Sequence, residues 1–207
     1  QMWKGFISGL VVANGFEWVA HKFILHGTHR AGQTRYSPVP RSMQSHWEHH
    51  REVRKHQFED DSYVQGLSHW RTRNEIGSLV VVAGVAGLIF YPFSKGLSLA
   101  AAYSAGNYYY IHRRAPLEPD WAKHKIPWHY DHHMNSNQDA NWCVTKPWFD
   151  YILGTRVISS PDLQEKNPLG IALPAPLSMW LSTQINRVFP AQWVNKATLP
   201  HVESSIH

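Results

Sequence analysis

Eight of the chain's 15 histidines fall into three short groups whose spacing suits metal ligands. The first is His21-Lys-Phe-Ile-Leu-His26, the second His46-Trp-Glu-His49-His50, and the third His129-Tyr-Asp-His132-His133. The second and third repeat one pattern, H-x-x-H-H, whose members at i, i+3 and i+4 share a helix face. Neutral imidazoles converging on one face are good donors to Fe, Zn, Cu or Ni. Eight ligands exceed the three or four of a single zinc site, so the count suits two metal ions held by shared boxes. His21 and His26 are five apart and diverge by about 140° on a straight α-helix. They serve one site only if the helix ends between them, and Gly27 suits such an ending. Glu17, one helical turn before His21 inside an apolar run, is expected to orient that imidazole from outside the ligand set. Glu48 and Asp131 occupy the x positions of the boxes and read as surface carboxylates. The bland alternative is a set of solvated, pH-sensitive helix faces, which the repeated spacing beside apolar segments disfavours.

These boxes need elements to hold them. Residues 2–26 read as a first membrane helix, mostly apolar, whose far end carries the chemical groups. Asn14, Glu17, His21 and Lys22 make it too polar for a signal-peptide core, and it shows no small-residue cleavage pattern. Residues 27–75 are polar, with a helix expected from Met43 to about Arg54. The 19 residues Ile76–Ser94 carry no formal charge and as a helix would span about 28 Å, close to the hydrocarbon thickness of a bilayer. A second uncharged run, Gly96–Ile111, follows the punctuation of Pro92, Lys95 and Gly96, so a hairpin entering and leaving a membrane is expected. Its Gly84, Gly87, Ala101, Ala102, Ala105 and Gly106 suit close helix packing. Residues 112–155 are polar again. Residues 156–207 form a tail in which Leu177, Trp180, Leu181, Ile185 and Val188 fall near helical spacing, and two placements for that helix stand equally open, the membrane interface and the surface of the cap. The expectation is an all-α fold without a β-sheet: a small integral-membrane helical bundle (1–155) under a His-rich polar helical cap.

Composition narrows the classes. One Cys rules out an internal disulfide framework and Cys-rich zinc modules. Charged residues are 17% of the chain, below the roughly 25% of soluble domains. The net charge is +5, but the densest basic run, Arg51–Lys55, is short and broken by Glu52. No nucleic-acid-binding pattern accompanies it, so nucleic acid is not expected as a partner.

The order H-x4-H, H-x2-HH, hydrophobic hairpin, H-x2-HH resembles the fatty acid hydroxylase/sterol desaturase superfamily of membrane di-iron oxygenases. Two further stretches carry the likeness. Tyr108-Tyr-Tyr-Ile-His112-Arg is similar to that family's Y-x-x-H-R stretch at the end of the hairpin. Asn141-Trp-Cys-Val-Thr-Lys-Pro-Trp-Phe-Asp-Tyr-Ile-Leu-Gly-Thr155 is similar to its segment after the last box. The resemblance spans about residues 14–155. It implies a cytosolic cap over a membrane bundle, with two Fe ions ligated by His21, His26, His46, His49, His50, His129, His132 and His133, and His112 as a ninth ligand. It also implies O2 as co-substrate, and a lipid drawn from the bilayer that is hydroxylated or desaturated, with a fatty-acyl chain favoured. Electrons would come from a separate donor such as cytochrome b5 or a ferredoxin. Zn can occupy the same nitrogens in a purified sample.

One departure stands out. The family's box after the hairpin is H-x3-H, and here Pro116 holds the second His position. His124 is a candidate substitute and His29 a weaker spare; His56, His69, His201 and His207 read as surface residues. Two further readings follow. One is a catalytically altered member serving as a structural or accessory subunit of a larger membrane complex. The other is an unrelated metal- or haem-handling membrane protein.

Overall fold

A computed structural model describes residues 1–26, 41–170 and 173–194. Nine α-helices dominate the described residues: α1 (Met2–Val19), α2 (Arg41–Lys55), α3 (Ser62–Gln65), α4 (Trp70–Phe90), α5 (Lys95–Leu117), α6 (Pro119–Lys125), α7 (Pro127–Met134), α8 (Trp148–Ile152) and α9 (Ala175–Val188). The all-α expectation holds with one small exception: β1 (Val157–Ile158) and β2 (Gln192–Trp193) pair in parallel. The chain returning after α9 closes this pair, with the Gln192 N–H donating to the Arg156 carbonyl at 2.8 Å.

Helices α1, α5 and α4 lie side by side, with α5 between the other two. The α1–α5 contact is close because glycine removes side-chain bulk. A Cβ on Gly9 would stand 2.5 Å from the Ala100 Cβ, and one on Gly96 would strike the α1 backbone. Gly84, Gly87 and Gly106, expected to serve the same purpose, instead have open space where a Cβ would lie. The outer faces stay apolar and exposed: Ile7 and Phe16 on α1, Val81 and Leu88 on α4, Leu99 and Tyr103 on α5. Of the three stretches expected to enter a membrane, α4 is the one long and apolar enough among the described residues to cross it. Asn107, His112, Arg113 and Arg114 make α5 more polar, and Lys4, Asn14 and Glu17 do the same for α1.

The polar end is built by short helices with proline at their starts. Pro119 opens α6 and Pro127 opens α7, a position where the missing N–H has no helical partner to lose. Val53, Phe58, Ile111, Ala115, Ala122, Ile126, Trp128 and Val144 form its apolar core. Phe58 sits at φ 82°, a conformation a bulky residue rarely adopts. It buries its ring with the centroid 5.6 Å from that of His133. Residues on the two sides of 155/156 are joined by the hydrogen bonds of a buried ion pair. The Arg156 guanidinium, 1% exposed, pairs with Glu165 at 2.6 Å and donates to Asn141 and to the Leu163 carbonyl. A buried charge needs such partners, and meeting that need binds residues 156–165 to the cap.

Candidate metal centre

The first box solves its spacing problem without ending the helix. After α1 the backbone widens into a π-helical turn over Ala20–Leu25, and the His26 N–H donates to the His21 carbonyl at 3.0 Å. A π turn takes one extra residue per turn, so residues five apart stack on one side. The rings of His21 and His26 are 5.0 Å apart. Gly27 and His29 lie outside the described residues.

The H-x-x-H-H boxes divide between two sites. At about 100° per residue, the adjacent histidines of each box diverge enough to face different centres. His21, His26, His46, His50 and His132 converge so that their ligand nitrogens all lie within 4.8 Å of one another; His49, His112 and His133 form a second group by the same measure. The groups adjoin, with the His50 and His133 rings 4.0 Å apart. His129 belongs to neither group but flanks the second, with centroids 4.6 Å from His133 and 5.4 Å from His112. All nine are buried.

The nitrogen geometry fits a metal. His46 Nε2 lies 2.9 Å from His26 Nε2 and 3.1 Å from the Nε2 atoms of His21 and His50. Neutral imidazoles cannot satisfy one another in such a knot, since each carries a single N–H. Bonds of 2.0–2.1 Å at right angles put neighbouring donor nitrogens about 2.9 Å apart. Both nitrogens of His129 and His133, and Nε2 of His112 and His132, are buried without a hydrogen-bond partner, which is rare in folded proteins. Burial, reinforced by the neighbouring histidines, holds His46, His50, His129 and His133 well below the usual imidazole range. Burial also takes His132 down to about 4. Neutral rings are the metal-binding form.

Outer partners fix the rings. His21 Nδ1 donates to the Trp142 carbonyl at 2.5 Å and His132 Nδ1 to the Ala140 carbonyl at 2.7 Å. His49 Nδ1 donates to Asp60 at 2.8 Å, and Asp60 is clasped by Arg71 at 3.0 and 3.1 Å. His112 Nδ1 donates to Glu75 at 2.7 Å, with the Tyr63 hydroxyl also bonded to Glu75. Burial favours a protonated Asp60, but the His49 and Ser62 N–H groups and the Arg71 charge outweigh it and keep the carboxyl ionised.

Two carboxylate expectations need correction. Glu17 does not orient His21: it accepts from the Val144 and Thr145 N–H groups and the Thr145 hydroxyl, clamping α1 to the 141–155 segment. Asp131 is not on the surface; it is fully buried and accepts from Ser159. Asp60 and Glu75, which hold two ligands, gave no motif signal; Glu75 showed only as the charge ending the uncharged run. The 141–155 segment acts through its backbone. Asp150 accepts the Trp142 and Cys143 N–H groups at 2.8 and 2.9 Å and the Thr155 hydroxyl at 2.7 Å, which aims the Trp142 carbonyl at His21. His124 is not brought to the site. It is exposed on α6, with Nδ1 donating to the Asp120 carbonyl at 2.7 Å. Pro116 is buried one turn beyond His112, where it adds no ligand. His56 is exposed and His69 half-buried; His201 and His207 lie outside the described residues.

No protein-family model, curated protein or solved structure matches this chain.

Proposed function

We propose that this chain is a membrane di-iron oxygenase of the fatty acid hydroxylase/sterol desaturase type, which hydroxylates or desaturates a lipid, with a fatty-acyl chain as the substrate class. The observation that carries this reading is the pair of adjoining buried histidine groups, each drawing ligands from both H-x-x-H-H boxes. The apolar faces of α1, α4 and α5, and a span in α4 long enough to cross a bilayer, support membrane residence and a substrate arriving from the lipid phase. Fe in these positions supplies the O2-dependent oxidation of an unactivated C–H bond, which amino-acid side chains alone do not offer. The chain's own residues hold neutral imidazoles in place, fix their tautomers through Trp142, Ala140, Asp60 and Glu75, and exclude water with Trp128, Trp142 and Phe58. Electrons come from a separate donor such as cytochrome b5 or a ferredoxin.

The test is metal analysis of detergent-purified protein together with mass spectrometry of lipids incubated with O2 and a reductant. Two Fe per chain and an oxidised lipid are expected. A folded chain that binds no metal would overturn the proposal. Pro116, standing where the related box has a ligand, favours a second reading: an accessory subunit of a membrane complex whose metal centre no longer turns over. Metal binding without oxidation of any lipid favours that reading.

A further inference from the structure

The two histidine groups are supported by different chemistry. In the five-histidine group, the outer nitrogens of His21 and His132 meet main-chain carbonyls, which are neutral acceptors. In the three-histidine group, those of His49 and His112 meet the carboxylates of Asp60 and Glu75. A carboxylate behind a ligating imidazole fixes its tautomer and raises its basicity more than a carbonyl does. Ligand number differs in the opposite sense. Five imidazoles nearly fill a six-coordinate sphere, whereas three, even with flanking His129 as a fourth, leave positions open.

We infer that the two metal positions are unequal: Asp60 and Glu75 are positioning residues for the three-histidine position alone, and that position is the one open to a small exogenous ligand. The inference rests on the metal-binding part of the function proposed above, not on lipid oxidation.

Cobalt(II) and azide serve as probes. The full chain in detergent is loaded with two equivalents of Co(II), its visible spectrum is recorded, and the metal is withdrawn by a competing chelator. Two classes of site are expected, and azide should shift the bands of one. Asp60→Asn and Glu75→Gln should each weaken that azide-sensitive class about 10- to 100-fold and leave the other class within about twofold of wild type. His50→Ala should do the converse. Melting of the metal-free variants identifies any that fail to fold, and Tyr63→Phe, a milder change behind the same ring, then replaces Glu75→Gln. A single class of site, or equal weakening of both classes by Asp60→Asn, would overturn the inference. Failure to bind Co(II) at all would overturn it together with the metal-binding reading, whereas two unequal sites without lipid oxidation would overturn the oxygenase reading alone.

Discussion

Helices α4 and α7 mark two ends of the molecule that obey different rules. Of the 21 residues of α4 only Thr72 is buried, whereas α7 buries six of its eight: Pro127, Trp128, His129, Asp131, His132 and His133. The apolar helix is the exposed one, and the histidine-bearing helix is the buried one. In water alone this inverts the usual order. It is reasonable if a bilayer covers α4, and if the cap is assembled to keep water from imidazoles that a metal needs. At the α7 end each buried polar group must find a specific partner. At the α4 end nothing in the described chain presses on the outward side chains. Substitutions should therefore be costly in the cap and mild on the outer face of α4.

The largest effect is expected at the centre of the nitrogen knot. His46→Ala removes the imidazole that three other Nε2 atoms approach within 3.1 Å, and should weaken metal binding more than about 100-fold, beyond the loss typical of an outer partner. Chelator competition measures it; retention of both metals at wild-type affinity would contradict the site. Next comes Asp150→Ala, which strands the Trp142 and Cys143 N–H groups. A loss of about 2–6 kcal/mol is expected from two stranded donors at about 1–3 kcal/mol each, read as a drop in melting temperature, with weaker metal retention as the Trp142 carbonyl loses its aim on His21.

Acidification should damage the metal-free cap progressively. His46, His50, His129 and His133 have folded-state pKa values lowered by burial, so below about pH 6.5 the unfolded chain binds more protons. Stability therefore falls as pH falls from there, by up to about 1.4 kcal/mol per pH unit for each proton taken up. Melts of chelator-treated protein between pH 7.5 and 5.5, a range chosen from that reference value, measure it, and a flat profile would mean these rings are not buried neutral.

Smaller effects probe the helices. Gly9→Val forces side-chain atoms into Ala100 and should cost about 1–3 kcal/mol by overpacking. Gly84→Ala, with open space at its Cβ, should be neutral or stabilise by up to about 1 kcal/mol through helix propensity. A marked loss at Gly84 would show that this face packs on protein rather than lipid.

Much of the centre was legible because histidine spacing on a helix is a geometric statement. H-x-x-H-H announces convergence wherever the segment is helical, and α2 and α7 are. Two metals follow from the ligand count alone. The division of each box between two groups was not legible, because the spacing reads as placing its adjacent histidines on one shared face, whereas His49 and His133 part from His50 and His132. The π turn was not legible. No residue type demands it, and the alternative, a helix ending at Gly27, satisfied the same spacing. The roles of Glu17 and Asp131 were misread for a related reason: spacing locates a carboxylate relative to its own helix, while its partner came from a segment more than a hundred residues away for Glu17 and from the Ser159 loop for Asp131.

The sequence by itself determined the helical class, the α4–α5 helix pair and the eight histidines of the three boxes as candidate ligands, because these follow from periodicity and from residue chemistry within a few turns; His112 was added only by the family resemblance. Only the tertiary structure decided which imidazoles share a centre, that His124 stays outside and Pro116 adds no ligand. It alone also decided that carbonyls support one group while Asp60 and Glu75 support the other. Those outcomes depend on where separate helices cross, and a hydrogen bond between distant segments leaves no local pattern to read.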